Sequence, residues 1–430
     1  MYYFSTNNKT VRTHFREATL KGQPAAGGLY FPEHIPKLPK GFVQSLQHIS
    51  KEEIAYTVMK PFTGNSIDGT TLQRIVSETV SAPFPLVSVN ERISTLELFH
   101  GPTWAFKDVG ARFMSRCLGH FAQNKSRAIT VLVATSGDTG GAVADAFYGV
   151  DGVQVVVLYP SGKVSAVQEL QLTTLGGNVV ALEVAGSFDD CQRMVKYAFS
   201  DKELSQQLHL TSANSINVAR WLPQQVYYFY AQQQWPHDDA AVVCVPSGNF
   251  GNICAGMLAA QSGLPVKHFI AACNANDAVP QYLASGQYQP KPAVATLSNA
   301  MDVGAPSNFI RILEFFQQGY PALKKRLTGY SITDAATIHT IKTVKAKHGY
   351  LLDPHGAVAY AALEKYLATQ PHQKGYLLET AHPVKFDTAA QTGYKPEVPD
   401  AMQQLMRKTK TSITIPADEL ALKEFLFRRY

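Results

Sequence analysis

No apolar run in this sequence approaches the ~18 residues that a membrane helix needs. The longest, around Val153–Tyr159, has the length of a buried strand. The first residues, MYYFSTNNKTVRTHFREATLKG, lack the apolar core of a signal peptide, so nothing points to secretion and the expected location is cytoplasmic. Cysteine is scarce. The five present (Cys117, Cys191, Cys244, Cys254, Cys273) are odd in number and form no CxxC pair. They read as free thiols in a reducing compartment rather than as a disulfide framework or a zinc site. Neither HExxH nor a Walker sequence occurs. Charge is also low, at 17%, and 39 Lys+Arg against 33 Asp+Glu leave an excess of only +6. That excess is too small and too dispersed for a nucleic-acid-binding face, and it is compatible with small anionic ligands.

What remains is a chain of 430 residues, 45% hydrophobic. At ~150 residues per domain this suggests two or three domains, with a full core and no need of a metal or disulfide staple. Four short β-rich runs stand out, Ile129–Thr135, Val153–Tyr159, Ala241–Val245 and Phe269–Cys273, with a weaker fifth at Gly375–Glu379. Continuous apolar runs of this length suit strands covered on both faces. Helical spacing over Gly141–Gly149 and Val164–Thr174 alternates with them, the pattern of parallel α/β layers. Before residue 90, Pro36, Pro39, Pro61, Pro83 and Pro85 punctuate short helical patterns, and an α-rich N-terminal domain is expected. The polar stretch Gln232–Asp239 marks a crossing between two α/β regions. The expected division is 1–95, 96–235 and 236–430.

In open α/β sheets, ligands sit beyond the carboxyl ends of the strands. Three loops occupy such places. Thr135–Gly141 (TSGDTGG) leaves a strand and enters a helix, with backbone N–H groups and the Ser136 and Thr139 hydroxyls available to an anion. Ser247–Asn252 (SGNFGN) resembles a phosphate cradle of backbone amides, yet fits neither GxGxxG nor GxxxxGKT. Glu379–Pro383 (ETAHP) places a hydroxyl and an imidazole after a buried strand. Each loop alone is equally readable as a structural turn. Lys107 lies among Trp104, Ala105 and Phe106. Apolar surroundings lower a lysine pKa, and a neutral amine can attack a carbonyl to form a Schiff base; a lysine lying along the surface beside a helix start is the plainer alternative. Asp353-Pro354-His355 reads as a helix cap followed by proline, Asp302 as a loop ligand or a turn residue, and Cys254 as packing.

Taken in order, LELFHGPTWAFKD, ATSGDTGGAVADAFYG, SANSINVARWLPQ, VPSGNFGN, LSNAMDVGAPSN and ETAHPVKF resemble the threonine synthase family, bacterial and fungal type, from GLYFPEHIP to at least Phe386. The resemblance implies the tryptophan-synthase-β-like fold (fold type II), with two α/β domains around a pyridoxal 5'-phosphate (PLP) cofactor plus the N-terminal domain. It implies conversion of O-phospho-L-homoserine and water to L-threonine and phosphate. By the same resemblance Lys107 matches the lysine that bonds PLP, flanked by Phe106. Ser247, Gly248, Asn249, Phe250, Gly251 and Asn252 match the cofactor-phosphate segment, and Thr380 the hydroxyl facing the pyridine nitrogen. Ser136, Gly137 and Thr139 match the substrate-carboxylate loop. Lys163, Asn214, Ser215 and Arg220 match the substrate-phosphate set, with Asn308 and Arg311 as runners-up. Asp138 matches the position beside the cofactor where many relatives of the wider fold carry an Asn that contacts the PLP 3′-oxygen, and it is expected to be cofactor-binding although it departs from that Asn. An ionised Asp cannot donate, so it must either accept from a protonated partner or itself be protonated. The rival readings are a threonine or serine dehydratase of the same fold and an inactive PLP-binding homologue. No metal, membrane or nucleic-acid partner is expected, and the chain is expected to be a monomer or homodimer.

Overall fold

A computed structural model describes residues 1–123, 127–317 and 319–430. The chain opens with three strands, β1 (Tyr2–Ser5), β2 (Asn8–His14) and β3 (Tyr30–Pro32). They form a small antiparallel sheet ordered β2-β1-β3. The helices Lys51–Thr63 and Gly69–Thr79 follow. The N-terminal region is therefore helical as expected, but it also carries a sheet that its proline-punctuated pattern did not announce. β1 and β3 are very short, and β2 is mostly exposed, so this sheet lacks the apolar runs that mark the central strands.

Eleven further strands follow in chain order: β4 (Leu86–Ser88), β5 (Ile93–Glu97), β6 (Ile129–Ala134), β7 (Val153–Pro160), β8 (Val179–Ala185), β9 (His209–Ser212), β10 (Val242–Pro246), β11 (His268–Cys273), β12 (Leu327–Ser331), β13 (Gly375–Glu379) and β14 (Ile413–Pro416). One sheet runs β12-β11-β10-β13-β5-β4, parallel except for β4. The other runs β14-β8-β7-β6-β9 and is wholly parallel. Every residue of β6, β10 and β13 is buried, because helices cover both faces of a parallel sheet.

Pairing departs from chain order at two places. Strands β4 and β5 join the sheet built mainly from residues after 236, and β14 returns to pair with β8. Both sheets thus cross the boundaries expected from the sequence. The apolar positions Leu422 and Leu426 of the helix Glu419–Arg429 are buried with β8 and the helix Phe188–Ser200, closing the sheet at its C-terminal edge. The five cysteines are buried and unpaired. No helix among the described residues is long and apolar enough to cross a membrane.

Local chemistry fixes the helix that faces the cleft between the sheets. Ser165 and Gln168 form a reciprocal capping box at the start of Ala166–Thr173. That helix lies so close to Gly137 that a β-carbon there would stand 2.5 Å from the Gln168 side chain, and Gly137 has φ 145°. Only glycine suits both demands.

Leu422→Ala is expected to destabilise the chain by about 2–5 kcal/mol, the usual cost of emptying a buried leucine site. Urea unfolding measures it, and a change within about 0.5 kcal/mol would show that the C-terminal helix adds little to the sheet.

Candidate active site between the two sheets

The loops after β5, β6, β9, β10 and β13 all leave carboxyl ends of strands, and they converge on one cavity of about 200 Å³. Lys107 is the first residue of the helix Lys107–Ala122 and lines this cavity. The loop that delivers it is tied to the segment after β13. Phe106 N donates to Thr380 O at 2.9 Å, and His382 N donates to Trp104 O at 3.0 Å. Tyr227 Oη donates to Phe106 O. Trp104, at φ 53°, holds a left-handed conformation that is costly for a bulky side chain. Phe250 does the same in the glycine loop, at φ 60°. Such strain persists only where the surroundings over-determine it, and here it falls on both loops at the cavity.

Burial lowers the Lys107 pKa, Asp138 opposes that shift, and Lys385 and Arg220 reinforce it. An amine in such surroundings gives up its proton more readily than a solvated lysine and can act as nucleophile or base.

Three family descriptions match the chain: "Threonine synthase N terminus" over residues 2–80, "Pyridoxal-phosphate dependent enzyme" over 87–378, and "Threonine synthase, C-terminal" over 356–426. The threonine synthase of Serratia marcescens is 43% identical over 433 residues, covering 99% of this chain and 98% of its own. That of Escherichia coli (strain K12) is 42% identical, covering 99% of both. The chain belongs to the threonine synthase family. Among solved structures, the Escherichia coli threonine synthase superposes with a TM-score of 0.93 at 41% identity over all of both chains. A PLP-bound threonine synthase from Brucella melitensis reaches 0.92 at 35%, over 100% of this chain and 99% of that one. Maize serine racemase, at 0.55 and 16%, shares the fold alone. As in its family, the cofactor is PLP, and the fold is type II.

The residues present fit that cofactor. Gly248, Asn249, Phe250, Gly251 and Asn252 line the cavity at the start of the helix Gly251–Ser262, where free backbone N–H groups favour an anion. A β-carbon on Gly248 would stand 2.5 Å from Met301 Cα, so the position admits only glycine. Asn252 accepts from Tyr228 Oη at 2.5 Å through Oδ1, while its buried Nδ2 has no partner among the described residues. Ser247 is placed differently. It is buried behind the loop and donates to Val245 O at 2.8 Å, so it shapes the turn without lining the cavity. Thr380 and Phe106 line the cavity beside Lys107.

Of the expected substrate residues, Ser136, Thr139, Asn214, Ser215 and Arg220 line the same cavity. Gly137 does not; it lies behind, against Gln168. Lys163 also stands outside the wall, exposed in the turn after β7. Its charge reaches Cys191, whose thiol is pushed up to about 12 chiefly by burial; Cys191 lies between the wall residues Phe188 and Gln192. Of the two expected cations, then, Arg220 alone is at the cavity. Arg220 is 3% exposed and donates to Ala213 O, and its Nε has no partner among the described residues. Burial draws its pKa down to about 10, which leaves it cationic at neutral pH.

Hydrogen-bond bookkeeping sets the polarity of Ser215. Its Oγ accepts from Asn249 Nδ2 at 2.8 Å and Asn308 Nδ2 at 3.0 Å. The Asn249 amide is oriented by Ser307 N donating to its Oδ1 at 2.6 Å, and the Asn308 amide by Arg311 Nη1 donating to its Oδ1 at 2.6 Å. With both lone pairs filled, the Ser215 hydroxyl can only donate, which suits an anionic oxygen. Arg311 itself is fully engaged. It also donates to Tyr30 O, Ser215 O and Ile216 O and stacks on Trp221 at 4.3 Å. It positions Asn308 rather than meeting a ligand. Asp302 accepts from Thr296, Asn274 and Asn276 and holds its loop along the wall.

Asp138 resolves the question its sequence raised. Its Oδ1 lies 2.7 Å from Lys385 Nζ and accepts from Gln168 Nε2 at 2.9 Å. Burial alone would push the carboxyl up. The Lys385 and Lys107 charges and these hydrogen bonds overcome it and hold Asp138 well below the usual carboxylate range. Asp138, expected beside the cofactor, is thus an ionised acceptor behind the cavity wall, where Lys385 and Gln168 occupy its carboxylate. Lys385, the lysine of ETAHPVKF, is a site residue that the sequence reading misses. It is 1% exposed and also donates to Thr103 O at 2.8 Å. No local pattern marks a lysine as buried, because its partners lie some 250–280 positions away in the sequence.

Because the folded pKa of Asp138 is depressed, its contribution is fully present above the unfolded value near 4 and is lost as pH falls toward the folded value. Asp138→Asn and Lys385→Met are each expected to cost about 3–5 kcal/mol, since each strands a buried polar partner, and the double variant is expected to recover most of it. Urea unfolding at pH 7 measures the cycle. Additive losses would show that the two groups do not act as a pair.

Proposed function

We propose that this cavity converts O-phospho-L-homoserine and water to L-threonine and inorganic phosphate, with Lys107 as the residue that holds PLP and moves protons. The observation that carries this reading is a half-buried amine with a lowered pKa, Lys107, in one cavity with a glycine loop and a separate cationic and hydroxyl set. Two phosphate groups need two such places.

PLP, when bound, supplies the electron sink that makes protons on the substrate carbons acidic. Every other task falls to this chain. The backbone N–H groups of Gly248–Asn252 hold the cofactor phosphate without adding charge, and Thr380 meets the pyridine nitrogen with a neutral hydroxyl. Ser136 and Thr139 hold the substrate carboxylate. Asn214, the donor hydroxyl of Ser215 and the Arg220 guanidinium hold the substrate phosphate, Arg220 offering a planar fork. Once free of the cofactor, the Lys107 amine is placed to take the proton from the substrate α carbon. The bond between the γ carbon and the phosphate oxygen breaks, a hydroxyl from water joins the β carbon, and protons are returned to carbon to complete threonine. Arg220 balances the charge that develops on the departing phosphate, an effect that is strong in a dry site. Lys163 stands at the rim, suited to draw the phosphate in by its charge. The ionised Asp138 acts only as an acceptor, keeping Lys385 and Lys107 in a fixed electrostatic relation.

Apart from β4, β5 and β14, which pair across these bounds, the parts 1–95, 96–235 and 236–430 serve in this reading as a support, a substrate-carboxylate half and a cofactor-phosphate half. The enzyme acts on a small molecule in the cytoplasm as a monomer or homodimer, and a dispersed +6 excess gives nucleic acid no binding face.

Incubation with O-phospho-L-homoserine is expected to release phosphate and threonine in equal amounts. Keto-acid formation from threonine as the main activity would overturn the assignment. Lys107→Ala is expected to abolish both turnover and the protein–PLP bond trapped by borohydride; retention of both would remove Lys107 from its role. Arg220→Gln is expected to lower kcat/KM for phosphohomoserine at least about 30-fold, equivalent to about 2 kcal/mol for a lost buried charge contact. Steady-state kinetics check this, and an unchanged kcat/KM would place the substrate phosphate elsewhere.

A further inference from the structure

The wall facing the glycine loop has little regular structure of its own. Asn299–Met301 form one short turn. It lies so close to Gly248 that a β-carbon there would stand 2.5 Å from Met301 Cα and 3.0 Å from Ala300 O. An imidazole anchors this wall. Ala300 N donates to His355 Nε2 at 3.2 Å, and His355 Nδ1 lies 2.6 Å from Asp353 Oδ1. Because Nε2 accepts, the ring proton sits on Nδ1 and is donated to Asp353. His355 is 2% exposed, with Phe386 packed on it at 4.9 Å.

Asp353 is backed in turn by Glu379, the last residue of β13. Asp353 N donates to Glu379 Oε1 at 2.6 Å. That bond brings the Asp353 charge to bear on the Glu379 carboxyl. Asp353 Oδ2 and Glu379 Oε2 are both buried and have no hydrogen-bond partner among the described residues. Two carboxylates out of water cannot both stay ionised beside each other, so the pair requires a proton. Burial and then the Asp353 charge push Glu379 well above the usual carboxylate range, and Glu97 adds to this. Glu379 therefore carries the proton. Gly356 makes the approach possible, since a β-carbon there would stand 1.7 Å from Glu379 Oε2.

We propose that His355, backed by the Asp353–Glu379 carboxyl pair, is a positioning residue for the cofactor phosphate, holding the Asn299–Asp302 wall against the Gly248 loop. The proposal rests on the assignment of Gly248–Asn252 to the PLP phosphate. The chain of contacts runs from a protonated acid in the core through a single imidazole tautomer to one backbone N–H at the cavity. Removing the imidazole leaves that N–H unpaired and the wall free to move away from the loop.

The test uses the full-length chain, resolved from its cofactor and titrated by fluorescence with PLP and with pyridoxal, which lacks the phosphate. His355→Leu is expected to weaken PLP binding about tenfold, the scale of one unpaired buried donor, while changing pyridoxal binding less than about twofold. His355→Gln, whose amide oxygen can still accept from Ala300 N, is expected to recover most of the loss. Equal losses of PLP and pyridoxal in His355→Leu, or no recovery in His355→Gln, would overturn the proposal. Glu379→Gln, which offers an N–H in place of the shared proton, is expected to weaken PLP binding far less than Glu379→Leu. Equal losses in these two would overturn the proton-sharing pair. Gly248→Ala separates the two readings. If it fails to discriminate between PLP and pyridoxal, the phosphate-loop assignment fails; if it discriminates and His355→Leu does not, only the role of His355 fails.

Discussion

A single buried ammonium organises the centre of this protein. Lys385 follows β13 in one sheet, meets the carboxylate of Asp138 from the loop after β6 in the other, and takes the carbonyl of Thr103 from the loop that delivers Lys107. Gln168 and Gln171, from the helix after β7, reach the same two acceptors. A charged group removed from water must find its partners or neutralise. Three loops from two sheets are therefore held in one arrangement by an interaction that tolerates little displacement. Lys107 stands beside that arrangement, and its amine feels both charges of the pair.

The same logic separates the two proposed anion sites. Around the glycine loop the donors are neutral: backbone N–H groups at a helix start and the Asn252 amide. Around Arg220 they are a guanidinium and a hydroxyl whose acceptor sites are already filled. A cofactor phosphate stays bound through many turnovers and needs shape and dipoles. A leaving phosphate gains charge during the reaction, and a cation placed where that charge develops stabilises the change rather than the starting state. Arg311, fully bonded to backbone carbonyls and to Asn308, shows that a buried arginine near such a site can serve to orient the true donors.

Much was legible in the sequence. The five apolar runs are strands within a residue or two of their expected ends, because a strand buried on both faces needs an unbroken apolar run. The loops that follow them carry the site, because open α/β sheets place ligands at the carboxyl ends of strands. Asp353 caps its helix as its spacing with Pro354 suggested. The antiparallel sheet of β1, β2 and β3 was not legible, since β1 and β3 are very short and the longer β2 is mostly exposed. The resemblance assigns Lys163 to the substrate set, but the turn that carries it stands exposed outside the cavity wall.

The sequence by itself determined which residue types stand at the strand ends, and hence the family and the cofactor. Those signals are local: a run of a few residues carries both the strand and the loop after it. Only the tertiary structure decided which of those residues meet. It paired Asp138 with Lys385, turned Ser215 into an obligate donor, withdrew Ser247 and Lys163 from the cavity, and placed Glu379 behind Asp353 and His355. Each of these depends on partners from distant parts of the chain and on the exclusion of water, and neither is written in the order of residues around any one of them.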